Sequence, residues 1–201
     1  MIMLAPLMTA FAARGVPGGF SRRALIRTVP VAMFGFGAAA KASGEYPIVA
    51  GEDVMSAKAH GTTETAVQEN LRWSVDRKTA DNICSFNRHY AERAGYWTST
   101  PFLKEVDKTG ETTYYDSVTG KALFIAPRGR SFDEFVAESN SHGWPSFRDE
   151  EVVWENVRTL KNGECISLAG THLGHNLPDR SGNRYCINLV SVAGRPEGEK
   201  V

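Results

Sequence analysis

The second half of the chain carries the clearest alternation of apolar and polar positions. Residues 152–157 (V-V-W-E-N-V) precede the polar stretch Lys161-Asn162-Gly163, and residues 165–168 follow it. Because Asn-Gly adopts positive φ at little cost, this pattern predicts a β-hairpin that turns at residues 161–164. Residues 185–192 alternate in the same way and predict a further strand.

Helical patterns are shorter. Ser131 and Glu134 have the spacing of a capping box ahead of an apolar pair, which predicts a helix over residues 132–139. Residues 64–73 place four side chains on one helical face and predict a second helix. We therefore expect a mainly β fold, with antiparallel sheets and a few short helices at the periphery.

Charge divides the chain into two parts. The 23 basic and 23 acidic residues cancel over the 201-residue sequence. However, residues 1–44 carry five basic and no acidic side chains, so residues 45–201 have a net charge of −5. Nucleic-acid binding needs concentrated positive charge, so a mildly acidic body is not expected to bind nucleic acid.

The basic segment has the features of a targeting sequence. Residues 21–27 (S-R-R-A-L-I-R) resemble a twin-arginine export signal, followed by a weakly apolar stretch and by Ala40-Lys41-Ala42 as a cleavage site. An ordinary helix is the alternative. The earlier T-A-F-A-A at residues 9–13 resembles the junction of a bipartite plastid presequence. We predict a removed presequence over residues 1–42 and delivery to the chloroplast thylakoid lumen, or else to a bacterial periplasm.

The remaining chain divides by composition. Residues 43–75 are polar and weakly periodic, which indicates an N-terminal arm. Residues 76–194 are numerous enough for one compact domain, and residues 195–201 form a tail. Neither apolar stretch of the presequence reaches the roughly 20 residues that span a bilayer, so we expect no membrane anchor after processing. We also expect a monomer.

Five side chains attract attention by chemistry alone. His172 and His175 suit a metal or a hydrogen-bonding pocket, although a surface pair has the same spacing. Arg184 and Cys186 share a face if they lie on a strand, and a nearby guanidinium favours a thiolate nucleophile. A core cysteine beside a surface arginine is the alternative. Trp144, held by the following proline, suits either a core plug or a flat wall for an apolar ligand.

Three segments in order carry a family resemblance: G-W-P-S-F at 143–147, G-T-H-L-G-H at 170–175 and R-Y-C-I-N at 184–188. Over roughly residues 76–193 the chain resembles the B-type methionine sulfoxide reductases. These enzymes repair oxidised proteins under oxidative stress by reducing the R epimer of methionine sulfoxide. The expected partners are therefore oxidised proteins and a thiol reductant. A catalytically silent module that binds methionine or its sulfoxide is the alternative.

The resemblance also implies residue roles. Cys186 would attack the sulfoxide sulfur as a thiolate that Arg184 stabilises, and would become a sulfenic acid. The sulfoxide oxygen would be hydrogen-bonded and protonated by His172, His175 and Asn188. The substrate would be held by Trp144 and Phe147.

Two departures from the family bear on cofactors and recycling. Many relatives bind structural zinc through two C-x-x-C pairs, whose positions here are occupied by Asp116, Thr119, Ile166 and Ala169. Three cysteines cannot fill a four-thiolate site, so we predict no metal and no other cofactor.

The frequent resolving cysteine of the family is His142 here. Regeneration through an internal disulfide would need Cys84 or Cys165. We favour Cys84, with a thioredoxin-like reductant restoring the dithiol. Without a resolving cysteine, an outside thiol would reduce the sulfenic acid directly.

Overall fold

The structure is a computed structural model that describes residues 46–199. The predicted presequence, residues 1–42, lies outside the described residues. Within the described part of the chain, no helix is both long enough and apolar enough to cross a bilayer.

The described residues form three α-helices and seven strands. The helices are α1 (Arg77–Asp81), α2 (Phe102–Glu105) and α3 (Phe132–His142). The strands are β1 (Thr112–Tyr115), β2 (Ala122–Ala126), β3 (Ser146–Phe147), β4 (Val157–Thr159), β5 (Glu164–Ser167), β6 (His172–Asn176) and β7 (Tyr185–Ile187). Five 3₁₀ turns (Glu52–Met55, Arg72–Ser74, Trp97–Ser99, Asp149–Glu151 and Leu189–Ser191) and a π-helix (Asn82–Phe86) complete them.

Both sheets are antiparallel, which confirms the predicted fold class. Strands β1 and β2 form a two-stranded sheet, and the larger sheet has the order β3-β7-β6-β5-β4. Strand β7 therefore lies between β3 and β6. In this register Cys186 is opposite Ser146 on one side and His175 on the other.

The predicted hairpin is confirmed, but its first strand begins later than predicted. The turn between β4 and β5 is closed by the Leu160 N–H, which donates to the Glu164 carbonyl at 2.8 Å, and Gly163 has a φ of 90°. The prediction of a strand over residues 152–156 is wrong. The Asn156 N–H donates to the Val153 carbonyl in a turn, and the Asn156 side chain donates to the Ala122 carbonyl at 2.8 Å.

The helix predicted over residues 132–139 is confirmed and extends to His142. The capping box of Ser131 and Glu134 forms at its start, and Gly143 ends it with a φ of 89°. This left-handed conformation is the usual place for glycine after a helix. Trp144 thus follows directly after the end of the helix, two residues before β3.

The helix predicted over residues 64–73 is wrong. Backbone N–H groups in this segment bond to distant partners instead of to their own turn. Val67 donates to the Asp81 carboxylate, Gln68 to the Ser117 carbonyl at 2.8 Å and Arg72 to the Ala193 carbonyl at 2.7 Å. Long-range hydrogen bonds that satisfy each donor leave no advantage to a local helix.

The segment predicted as a polar arm supplies core residues. Val67 and Trp73 are 2% and 4% exposed and pack in the main apolar cluster, while Met55 packs in a smaller one. The main cluster is rich in aromatic rings, with Trp73, Trp97, Phe102, Tyr114, Phe124, Phe135 and Phe147 among its members. The N-terminal segment is therefore part of the body that supports the larger sheet.

Candidate active site

A pocket of about 310 Å³ opens over β6 and β7. Five of its lining residues are predicted site residues: Trp144, His172, His175, Cys186 and Asn188. The other five were not predicted: His89, Tyr90, Ala91, Gly174 and Leu177. Three distant sequence motifs and one segment without a motif thus form a single concave site.

Alternation along β7 explains how Cys186 reaches this pocket. Tyr185 and Ile187 are fully buried in the core, so Cys186 between them faces the other side of the sheet. Arg184 and Asn188 flank the strand, each two residues from Cys186, so alternation places them on the same face as Cys186. Arg184 is 7% exposed, and its positive charge acts on the thiol of Cys186.

A β-bulge brings the two histidines together. Strand β5 pairs Cys165 with Gly174 and Ile166 with His172, so Leu173 is an extra residue in β6. Side chains three apart on a regular strand point to opposite faces, and one extra residue restores a common face. The rings of His172 and His175 accordingly lie 5.5 Å apart, centroid to centroid, and both line the pocket.

The glycine between these histidines is required by close packing. Gly174 has a φ of 153°, and a Cβ added there would lie 2.1 Å from the Cys186 carbonyl oxygen. Real Cβ atoms do not approach a backbone oxygen so closely. Glycine at this position therefore allows β6 and β7, the strand that carries Cys186, to come together.

The thiol of Cys186 is tuned by opposing effects. Burial raises its pKa, and the positive charge of Arg184 acts against that rise. The net direction is upward, because desolvation of a thiolate outweighs the arginine. Arg184 acts on the thiol in the expected direction, but burial has the larger effect on its pKa.

A buried carboxylate orients His172. The Nδ1 atom of His172 lies 2.8 Å from a Glu164 carboxylate oxygen, and both side chains are at most 2% exposed. Arg88 donates two further hydrogen bonds to Glu164 from Nε and one from Nη2. Burial opposes ionisation of Glu164, yet the hydrogen bonds from His172 and Arg88 lower its pKa to about 2. The carboxylate therefore remains charged and leaves Nε2 of His172 for the pocket.

The second histidine has a different environment. Burial, with a smaller contribution from the neighbouring His172, lowers the pKa of His175. Its imidazole is thereby biased toward the neutral form. A neutral imidazole that gains a hydrogen bond from an incoming group can exchange a proton with it near physiological pH.

Phe147 does not reach the pocket. It is fully buried, stacks on Phe124 with centroids 4.3 Å apart and meets Tyr114 edge-on at 4.9 Å. Its predicted contact with substrate is not supported, because three aromatic neighbours hold the ring in the core. Trp144 is the aromatic residue of this motif that lines the site.

The two other cysteines are also held in the core. Cys84 and Cys165 are both fully buried, and burial raises the pKa of each thiol. The thiol of Cys84 lies 3.6 Å from the Ser191 hydroxyl, to which it donates. Neither cysteine lines the pocket, so the assignment of Cys84 as the resolving cysteine stays a prediction.

The four positions that correspond to zinc ligands do not form a metal site. Asp116, Thr119 and Ala169 line a small cavity, but Ile166 packs in an apolar cluster with Met55 and Leu160. Only one of the four, Asp116, offers an ionisable ligand atom. It already accepts hydrogen bonds from Val118, Thr119 and Thr171. The residues present do not fit a tetrahedral zinc ion.

One other group among the described residues has metal-ligand spacing, namely Glu138, His142 and Asp179. Arg148 forms ion pairs with both carboxylates, and Arg130 forms another with Glu138. A cation at this position would have to compete with two guanidinium groups. The cluster is therefore better described as a salt-bridge network.

No protein-family model matches the chain, and no solved structure matches it. The chain is similar to a protein from Leifsonia xyli subsp. xyli named peptide methionine sulfoxide reductase MsrB. The two are 34% identical over 115 residues, which cover 51% of this chain and 76% of the relative.

Two further relatives have the same name. A Methanosarcina mazei protein is 33% identical over 89 residues, or 39% of this chain and 64% of that protein. A Hahella chejuensis protein is 29% identical over 117 residues, or 53% of this chain and 78% of that protein.

Proposed function

The chain belongs to the MsrB family of peptide methionine sulfoxide reductases, and on this basis we propose that it reduces methionine (R)-sulfoxide in proteins through Cys186. Family membership agrees with the three-motif resemblance. The observation that carries the mechanism is the convergence of Cys186, two imidazoles and the Trp144 ring in one pocket. A nucleophile, proton donors and an apolar wall are the parts that sulfoxide reduction needs.

The proposed first step transfers one oxygen atom. The sulfur of Cys186 bonds to the sulfur of the sulfoxide. The oxygen then moves from the substrate sulfur to the sulfur of Cys186 as the substrate's sulfur–oxygen bond breaks, and the bond between the two sulfurs breaks in turn. Methionine leaves, and the oxygen remains on Cys186 as a sulfenic acid with the proton of the former thiol. Cys186 is oxidised by two electrons and the substrate sulfur is reduced by two, so no outside redox partner is needed in this step.

The chain's own donors assist this transfer. The sulfoxide oxygen gains negative charge as the bond breaks, so hydrogen-bond donors aimed at it lower the barrier. Nε2 of His172 and the imidazole of His175 face the pocket for this role. The Nη1 atom of Arg184 is buried without a hydrogen-bond partner among the described residues, so it is free to support charge near Cys186.

The pocket wall favours the methyl group of the substrate. The indole N–H of Trp144 donates to the Glu92 carbonyl at 2.9 Å, which fixes the plane of the ring. Tyr90 and Leu177 add exposed apolar surface at the mouth. An apolar wall beside hydrogen-bond donors suits a sulfoxide, which has two apolar substituents and one strongly polar oxygen.

Recycling completes the proposed cycle. Two equivalents of an outside thiol reduce the sulfenic acid, giving the Cys186 thiol, one disulfide and water. The burial of Cys84 supports direct attack by the outside thiol, such as a thioredoxin-like protein. A Cys84–Cys186 disulfide would require Cys84 to become accessible first, because its thiol is fully buried and donates to the Ser191 hydroxyl. We also propose that no structural zinc is held, because hydrogen bonds of Asp116 join the segments that zinc would join.

The decisive test of the function is a turnover assay on residues 43–201. Peptides that contain the R or the S epimer of methionine sulfoxide are incubated with the protein and dithiothreitol, and methionine is measured by chromatography. We expect reduction of the R epimer and at least about 100-fold slower reduction of the S epimer. Binding of the R peptide without any turnover would instead favour a silent binding module.

A further inference from the structure

Glu92 is a buried carboxylate that none of the predicted roles uses. The residue is 3% exposed, and no lysine, arginine or histidine in the described part of the chain forms a salt bridge with it. Burial raises its pKa to about 7, although hydrogen bonds from Leu189 and Val190 oppose the rise. Burial of a carboxylate without a counter-charge is costly, so its contacts need an explanation.

The carboxylate binds the loop that follows the nucleophile. One oxygen accepts the N–H of Leu189 at 2.8 Å, and the other accepts the N–H of Val190 at 3.1 Å. These consecutive donors begin the 3₁₀ turn Leu189–Ser191. The strand predicted over residues 185–192 therefore ends at Ile187, before this turn. The two oxygens of Glu92 thus set where the chain turns after Cys186.

The peptide group of the same residue binds two pocket side chains. The N–H of Glu92 donates to Oδ1 of Asn188 at 3.1 Å, and its carbonyl accepts the indole N–H of Trp144 at 2.9 Å. The amide of Asn188 is fixed at its other end, where Nδ2 donates to the Leu173 carbonyl at 3.1 Å. Glu92 therefore connects Trp144 and Asn188, two side chains that line the pocket, with the loop after Cys186.

We propose that Glu92 is a positioning residue of the reductase site, which holds Asn188 and Trp144 in register with Cys186. The inference rests on the proposed function. Glu92 does not line the pocket, so it acts through these neighbours. Its charge does not assist the nucleophile: after burial itself, Glu92 is a further cause that raises the pKa of the Cys186 thiol.

The variant Glu92→Gln tests whether Glu92 acts by positioning its neighbours or through its negative charge. The amide keeps the size of the side chain but turns a donor toward one of the two backbone N–H groups. We expect kcat for the R-sulfoxide peptide to fall by about 10- to 100-fold, since small displacements of aligned groups have effects of this size. Alkylation of Cys186 by iodoacetamide should keep its rate or become faster. Glu92→Asp keeps the charge on a shorter stem and should have an intermediate kcat.

Glu151→Gln is the matched control. Glu151 is also fully buried and accepts backbone N–H bonds from Arg128 and Arg148, but it lies outside the pocket lining. Its substitution should lower stability and leave kcat per folded molecule unchanged. Near-UV circular dichroism gives the folded fraction of each variant.

The outcomes of these experiments distinguish the proposed role of Glu92 from the proposed reductase function. Wild-type kcat in Glu92→Gln, or an equal loss per folded molecule in Glu92→Gln and Glu151→Gln, would overturn the role of Glu92 alone. A parallel loss of Cys186 alkylation would overturn it too, because Glu92 would then act on the nucleophile. Failure of the wild type to reduce either epimer would overturn both proposals.

Discussion

Replacing the thiol of Cys186 by a hydroxyl should abolish turnover. In Cys186→Ser, we expect reduction of the R-sulfoxide peptide to fall by at least about 1,000-fold, as happens when a nucleophile is removed. The physical reason is that a serine oxygen would have to form an oxygen–oxygen bond to accept the oxygen atom. The assay is the same chromatographic measurement of methionine, at equal concentrations of folded protein.

Two cysteine variants complete this test. Cys165→Ala removes a fully buried thiol that does not line the pocket, and it should retain turnover. Cys84→Ala should also retain turnover with dithiothreitol if outside thiols attack the sulfenic acid directly. Retained activity in Cys186→Ser would refute the assignment of the nucleophile.

Loss of the Glu164 carboxylate should have the largest effect on stability. In Glu164→Gln, Arg88 and His172 lose a buried charged partner that forms hydrogen bonds with both. Breaking a buried ion pair by removing one partner costs about 3–5 kcal/mol of unfolding free energy. Turnover should fall as well, because Nδ1 of His172 loses the carboxylate that orients its ring. Urea unfolding at neutral pH measures the first effect.

The same carboxylate should dominate acid unfolding. The pKa of Glu164 is about 2 in the folded protein and about 4.5 when unperturbed. The unfolded chain therefore takes up the proton first, and the stabilisation present above about pH 4.5 is lost as pH falls toward 2. This loss should amount to about 3 kcal/mol in the wild type and be absent from Glu164→Gln.

The control for both measurements is Glu111→Gln. Glu111 forms a two-bond pair with Arg128 at the surface, and its side chain is 51% exposed. An exposed pair contributes about 0–1 kcal/mol, so this variant should unfold almost as the wild type does. Equal destabilisation of the two variants would contradict the structural role of the Glu164 cluster.

The sequence motifs predict half of the residues that line the pocket, because each motif combines residues with distinctive chemistry. Cys186 lies on a strand between two core residues, and its exposure to one face follows from alternation. The common face of His172 and His175 does not follow from a regular strand, because it depends on the bulge at Leu173. A family motif therefore preserved a geometry that periodicity alone would have excluded.

The opposite wall of the pocket could not be predicted from local patterns. His89, Tyr90 and Ala91 belong to a segment without regular elements, and Glu92 next to them bonds to residues almost 100 positions away. The helix predicted over residues 64–73 fails for the same reason, since distant carbonyls satisfy its donors. Where long-range hydrogen bonds decide the backbone, neither propensity nor periodicity carries the signal.

The central claim is that reduction of the sulfoxide oxidises Cys186 to a sulfenic acid. The most direct measurement is a single turnover without reductant, in which the protein is mixed with the R-sulfoxide peptide and dimedone, and its peptides are analysed by mass spectrometry. We predict one methionine formed per protein molecule, with Cys186 carrying the dimedone adduct or a disulfide to Cys84. Formation of methionine while Cys186 remains an unmodified thiol would contradict the account.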